Sequence, residues 1–310
     1  MEFFHRVTNF PFMATRKVWY GLSVALILIS VVSLATRGLS LGVDFTGGVT
    51  VQATFPAAVN RDAVATALQR AGYRDVQVTL FGTSRDISIR LPPTKESTEA
   101  VRTRVDQVLQ GLDKGEQIQQ VVLIGPQVGS ELLRSAVQAL IATLLLIFGY
   151  IALRFHTWRL SFGAILAVLH DPILVLGVFS LTQTTFDLTV VAAMLAVIGY
   201  SLNDTVVVFD RIRERFHVTR RLPPVVVLDQ SINQTLSRTI MTKVVTLIVV
   251  VALYILGGPV LKGFSLALII GIVAGTYSSI YISSAAALDC GLVAEDLMPA
   301  QGRKPVDNLP

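Results

Sequence analysis

Residues 186–215 read FDLTVVAAMLAVIGYSLNDTVVVFDRIRER. The stretch opens as an apolar run of the kind that crosses a bilayer as a helix. Before the run is finished it sets Asn203 beside Asp204; Val206, Val207, Val208 and Phe209 then resume the apolar pattern, and only at Asp210 does the chain turn openly charged. A carboxylate inside hydrocarbon is costly even on lenient insertion scales, so it faces a helix bundle, has a partner, or carries a proton.

Outward from this stretch the same kind of run recurs. Residues 18–35, 136–155, 160–181, 239–256 and 264–287 are each long enough to cross about 30 Å of hydrocarbon, and with 186–209 they make six spans. Of the 310 residues 52% are apolar and 15% charged, the balance of a polytopic helical membrane protein. The formal charge of +5 sits mostly in short segments on one side: residues 1–17 with Arg6, Arg16 and Lys17 against Glu2, the 154–159 loop, and residues 210–238 with Arg211, Arg213, Arg215, Arg220 and Arg221. The 182–187 and 257–263 loops together hold Lys262 as their one base. That asymmetry is an orientation signal and gives no support to nucleic-acid binding; it predicts both termini, including the 288–310 tail, in the cytoplasm. The first apolar segment exceeds a signal-peptide core and is expected to stay as an anchor. Cys290 is the single cysteine, so any domain outside the membrane stands on its own core.

Such a domain is expected at 36–131. Val49, Val51, Ala53 and Phe55 alternate as in a half-buried strand; after Asn60 as an N-cap, Val64, Leu68 and Ala71 recur at helical spacing. Val76, Val78 and Leu80 alternate, Gly82 to Arg85 supply a turn, and Ile87, Ile89 and Leu91 alternate again. Val101, Val105, Val108 and Leu112 mark a second helix stopped near Gly115, and residues 118–124 a last strand. The order β-α-β-β-α-β predicts a ferredoxin-like α+β domain between the first two spans, on the extracytoplasmic side. In 210–238, Val225, Leu228, Ile232 and Leu236 suggest an amphipathic helix on the membrane surface.

Depth arithmetic seeks a partner for Asp204. It lies sixteen residues below Leu188, or about 24 Å at the helical rise; Arg238 lies nineteen residues below Gly257, or about 28 Å. Arg238, Thr242 and Thr246 share a face, which Thr235 extends, and Tyr200 sits one turn outward of Asp204. An Asp204–Arg238 pair flanked by Asn203 and Thr242 is therefore expected, either as an architectural ion pair or as a proton relay opened by moving one helix against the other. In the third span His170 and Asp171 precede Pro172 near mid-membrane. A metal site there is disfavoured, since adjacent helical residues diverge by about 100° and no third ligand shares the span. A structural hydrogen-bond network is preferred, with proton or conformational coupling as the alternative. Gly271-x-x-x-Gly275 reads as close helix packing. No phosphate loop, hydrolytic triad or metal cluster is present in the sequence, so neither an enzyme nor a cofactor is expected, and any work done draws on an ion gradient or a partner.

Asp44-Phe45-Thr46-Gly47-Gly48, Leu169-His170-Asp171, the run from Val197 to Thr205, Phe209-Asp210-Arg211-Ile212-Arg213-Glu214, Asn233 to Thr239 and Gly257-Gly258 through Phe264 together resemble the SecF family of the resistance-nodulation-division superfamily. The resemblance covers nearly the whole chain. It implies one half of a transporter in the cytoplasmic (inner) membrane, with SecD as the other half. It also implies use of the proton-motive force to assist preproteins through the SecYEG translocon, with Asp204, Arg238, Asn203 and Thr242 in the proton relay beside a carboxylate from SecD. A passive translocon subunit and half of a small-molecule exporter are the alternatives; the small domain, with no second large lobe to build a substrate tunnel, argues against export. One position departs from the pattern. Lys243 stands where small polar residues are expected; it is expected to snorkel to the nearby cytoplasmic surface, the alternative being a charge placed beside the relay.

Overall fold

The first long helix, α1 (Arg16–Arg37), is mainly apolar between its charged ends, yet the three residues it buries are Ser23, Ser30 and Ser33. Small residues let backbones approach where lipid supplies no hydrophobic drive between helices. A computed structural model describes residues 8–297 apart from 74–75, 81–82, 95, 113–114, 116, 156 and 220–221. Glu2, Arg6, Gly82, Arg220, Arg221 and the tail beyond residue 297, all used in the sequence reading, lie outside the described residues. The partner of α1 is α6 (Trp158–Thr182): a Cβ on Gly177 would stand 2.0 Å from Ser30 Oγ, and Ser33 Oγ lies 2.8 Å from Ser180 Oγ.

Between α1 and the second span the chain builds the expected domain. A short turn α2 (Val43–Thr46) leads into β1 (Gly48–Thr54), then α3 (Arg61–Arg70), β2 (Gln77–Leu80), β3 (Asp86–Leu91), α4 (Thr98–Gln110) and β4 (Gln117–Ile124). The sheet order is β2-β3-β1-β4 with antiparallel neighbours throughout, as the ferredoxin-like reading requires. Asn60 and Ser97 cap α3 and α4 by accepting from backbone N–H groups of the first turn. Val49, Val51, Ala53, Ile87, Ile89 and Leu91 meet Val64, Leu68, Val101, Val105 and Leu109 in one closed core. The α4 contact is Leu109, while Leu112 is exposed beyond the helix end.

Gly47 and Gly48 take φ of 70° and 126°, and a Cβ would stand 2.7 Å from Pro126 Cα at the first and 2.5 Å from Leu91 O at the second. Only glycine fits where the chain leaving α1 squeezes between the sheet and α5 (Pro126–Arg154). Asp44 accepts from Leu188 N at 3.1 Å, helping Asp187 to cap α7 (Leu188–Val218). Arg90 on β3 donates to Leu41 O and Thr185 Oγ1, both at 2.9 Å. The sheet domain is thus tied to the very loop from which the fourth span descends.

Two boundaries differ from the sequence reading. Residues 210–238 are not a loop with a surface helix. Helix α7 runs 31 residues to Val218, and α8 (Pro224–Leu256) runs 33 residues without a break. At about 46 and 50 Å they outrun the hydrocarbon and continue beyond it as a packed pair. Of the stripe read as amphipathic, Leu228, Ile232 and Leu236 form the packing face of α8 against α7 and its neighbours, joined by Val227, while Val225 is exposed. Arg211 and Arg215 donate to Gln234 and Gln230 across the pair, and Arg154 bridges to Asp210 at 2.6 Å. The sixth span likewise continues from α9 (Gly258–Tyr277) through a π-helical stretch, Ser278–Ser284, into α10 (Ala285–Asp289). The widened turn brings Ser283 O to within 2.2 Å of where a Cβ on Gly163 would be, so α6 needs glycine there.

Candidate functional site

Helix α7 carries two polar centres less than one turn apart. At the first, Ser201 donates to Asp171 Oδ2 at 2.5 Å, and Ser278 donates to the same oxygen at 3.1 Å. Asp171 Oδ1 lies 3.0 Å from His170 Nδ1, whose Nε2 is 2.7 Å from the Tyr277 hydroxyl. Asp171 is 0% exposed and every contact comes from α6, α7 or the sixth-span helix. Gly271 and Gly275 make this approach feasible: a Cβ would meet Val197 at 2.3 Å from the first, and Ser201 Oγ at 3.0 Å and Asp171 Oδ2 at 3.2 Å from the second. The His170–Asp171 pair is therefore part of a saturated hydrogen-bond network. No group of three His, Cys, Asp or Glu side chains able to hold a metal occurs among the described residues.

The second centre is Asp204. Its ion-pair partner is Lys243, with Nζ 2.6 Å from Oδ2, and the two residues are 5% and 4% exposed. Nζ also lies 4.3 Å from the centroid of the Tyr200 ring, whose hydroxyl reaches Thr242 O at 3.0 Å and Thr246 Oγ1 at 2.9 Å. Oδ2 and Nζ are both sealed from solvent, and apart from each other neither has a hydrogen-bond partner among the described residues. A buried charge pair held by a single contact and one ring face is costly to keep and has few bonds to break when it rearranges.

The expected Asp204–Arg238 contact is thus replaced. Arg238 makes no ion pair or hydrogen bond among the described residues and acts on Asp204 only at longer range. Arg238, Thr242 and Asn203 are exposed, flanking the pair instead of closing it. The buried stripe of α8 is Ser231, Thr235, Thr239 and Lys243, rotated about 100° from the stripe through Arg238, Thr242 and Thr246. Lys243 does not snorkel: its ammonium is turned into the protein, buried against Asp204 Oδ2 and the Tyr200 ring.

Comparison with known proteins agrees on one family. The family described as "Protein export membrane protein SecD/SecF, C-terminal" matches residues 104–292, and the "SecD/SecF GG Motif" matches residues 32–55. The chain belongs to the SecF family of protein-translocase subunits. The protein translocase subunit SecF of Haemophilus influenzae is 45% identical over 96% of this chain and 91% of its own length. That of Pseudomonas aeruginosa is 43% identical over 98% and 99%. The crystal structure of SecDF, a translocon-associated membrane protein from Thermus thermophilus, gives a TM-score of 0.83 at 35% identity. That match covers 91% of this chain but only 39% of the SecDF chain, so this SecF-family chain spans well under half of that relative. With six helices long and apolar enough to cross a bilayer, it is a multi-pass membrane protein.

For this SecF-family chain the GG motif has a local physical role, the backbone crossing at Gly47 and Gly48. Ser201, Tyr277 and Ser278 are the site residues that sequence reasoning did not assign to it; Tyr200 stands beside Asp204 as expected, and Lys243 takes the alternative reading, a charge beside Asp204. The depth arithmetic held the signal for Lys243: fourteen residues below Gly257, it lies at about 21 Å, as close to the level of Asp204 as Arg238 is.

Proposed function

We propose that this chain is the SecF half of a SecDF-type complex in the cytoplasmic membrane. There it couples the proton-motive force to the movement of preproteins through the Sec channel. One observation carries the reading: a buried Asp204–Lys243 ion pair, with no further hydrogen-bond partner at Oδ2 or Nζ among the described residues, beside three exposed polar side chains on membrane-spanning helices. Asn203, Arg238 and Thr242 cannot face lipid at low cost, so a second helical bundle covers them. SecD is that bundle, and the ion path runs between the two halves, as in transporters built from paired repeats. Asp204 takes the proton; Arg238, exposed toward the partner, meets a carboxylate there; Asn203 and Thr242 line the path. The excess of basic residues at one set of helix ends favours an orientation with both termini in the cytoplasm and the sheet domain outside, on the side of the translocating chain.

The competing reading is a passive subunit that only holds its partners together. Preprotein translocation into vesicles, with and without a proton gradient, separates the two. Asp204→Asn keeps size and hydrogen bonding but removes the titratable group. It assembles with SecD and loses gradient-dependent stimulation if Asp204 carries the proton. Full stimulation in an assembled Asp204→Asn complex makes the pair architectural.

A further inference from the structure

The Lys243 ammonium occupies the side of the Asp204 carboxylate that points into the protein. It is fixed there by Oδ2 at 2.6 Å and by the Tyr200 ring at 4.3 Å. That ring is itself pinned by its hydroxyl to Thr242 O and Thr246 Oγ1. The charged groups facing Asp204 are Lys243 and Arg238, both from α8. From α6, His170 and Asp171 reach α7 at Ser201, and Asp171 is already engaged by two hydroxyls and the imidazole. Among the described residues Asp204 therefore has two cations for company and no second carboxylate.

Protons and metal cations make different demands on such a site. A hard cation binds through a shell of several oxygens and needs the volume to seat it. A proton forms one O–H bond and needs no shell. Placing a second full charge about 4 Å from the ammonium, at an effective dielectric near 20, weakens cation binding about a thousandfold. We propose that Lys243 determines ion specificity: its tethered ammonium stands where a metal cation would coordinate Asp204 and leaves the site open to protons and closed to sodium. This rests on Asp204 being the ion carrier. Loading converts the carboxylate to a neutral acid with a proton from water on one side of the membrane and frees Lys243 from its partner. Unloading returns the proton to water on the other side and restores the pair. Only the O–H bond forms and breaks.

The test uses the full complex with its second subunit in vesicles, reading gradient-dependent stimulation of translocation. In the wild type, a pH gradient stimulates equally with and without sodium, and a sodium gradient at equal pH does nothing. Lys243→Ser, which removes the ammonium and leaves an oxygen in the vacated space, becomes sodium-sensitive: added sodium causes a loss of proton-driven stimulation that the wild type does not show. Lys243→Arg keeps the charge and stays indifferent to sodium. A Lys243→Ser complex that retains proton-driven stimulation and ignores sodium overturns the proposal, as does a wild type driven by a sodium gradient. If Lys243→Ser does not assemble, the sodium arms on the wild type and Lys243→Arg decide, since sodium competition in either is incompatible with an ammonium that excludes it. Full stimulation by Asp204→Asn is a separate failure, that of the carrier assignment.

Discussion

Asp171 and Asp204 are both carboxylates buried in the helical bundle, and both engage α7 within a single turn, yet they are built in opposite ways. Asp171 has a hydroxyl from α7, a second hydroxyl from the sixth-span helix and the imidazole of its neighbour, and Gly275 packs tightly against it, with a Cβ there 3.2 Å from Oδ2. Asp204 has one cation at 2.6 Å, no further hydrogen-bond partner at Oδ2, and exposed polar neighbours. A saturated network in a low-dielectric interior is rigid, because any motion leaves several polar groups unpaired. An ion pair held by one contact has a single bond to open, and a proton on the carboxylate removes the charge that holds it. Adjacent centres on one helix thus divide the work, one fixing the helices and the other left able to change.

The largest expected effect comes from breaking the second centre. Asp204→Asn is expected to remove gradient-dependent stimulation entirely while leaving the complex intact by size-exclusion chromatography, and Arg238→Met to be similarly defective. Breaking the first centre should do the reverse. Asp171→Ala strands Ser201, Ser278 and His170 without their acceptor and should cost about 1–3 kcal/mol of stability for each buried group left unpaired. That is read as lower yield and thermal stability in detergent, with whatever complex survives still responding to the gradient. If Asp171→Ala is stable but uncoupled, the two centres form one relay and the division of labour is wrong.

A smaller change sharpens the same contrast. Gly271→Ala would place a methyl 2.3 Å from the Val197 side chain and force α9 away from α7. The expected cost is about 1–3 kcal/mol of overpacking, measured as a lowered midpoint of thermal unfolding.

The sheet domain supplies the smallest effect, and a reference outside the membrane. Expressed as residues 44–125 it should unfold cooperatively, since its core closes without help from the spans. Burial pushes the Asp86 carboxyl up, but hydrogen bonds from Thr83 and Thr54 outweigh it and hold the group below its ordinary 3.8. A carboxylate depressed in this way stabilises the fold above its unfolded value and loses that contribution as pH falls through the folded value. The isolated domain should therefore weaken as pH falls below 3.8, and Asp86→Asn should flatten that part of the profile. An unchanged acid limb would assign the sensitivity to another carboxylate.

The strand alternation from Val49 to Leu91, the cap at Asn60 and the six apolar runs are local features, and local sequence pattern was enough to read them. The same physics explains the misreadings. Hydropathy marks where a helix leaves hydrocarbon, and not where it ends, so the charged continuation of α7 to Val218 and the early start of α8 at Pro224 looked like a loop. Arg–Gln bridges and a buried stripe of Val227, Leu228, Ile232 and Leu236 hold that continuation together. Those are contacts between residues far apart in the chain.

From the sequence alone came the number of spans, the topology of the sheet domain, and Asp204 as the charge that needs explaining. Each follows from the chemistry of a side chain and its near neighbours. Which cation answers Asp204 was decided only by the tertiary structure. On α8 the stripes through Arg238 and Lys243 lie about 100° apart, and both present a cation near the right depth. The rotation of α8 about its own axis chooses between them, and that rotation is set by what the helix packs against: Asn233 clasping the backbone of Phe10, Asp229 accepting from Met13 N, and Tyr200 bonding to Thr242 and Thr246.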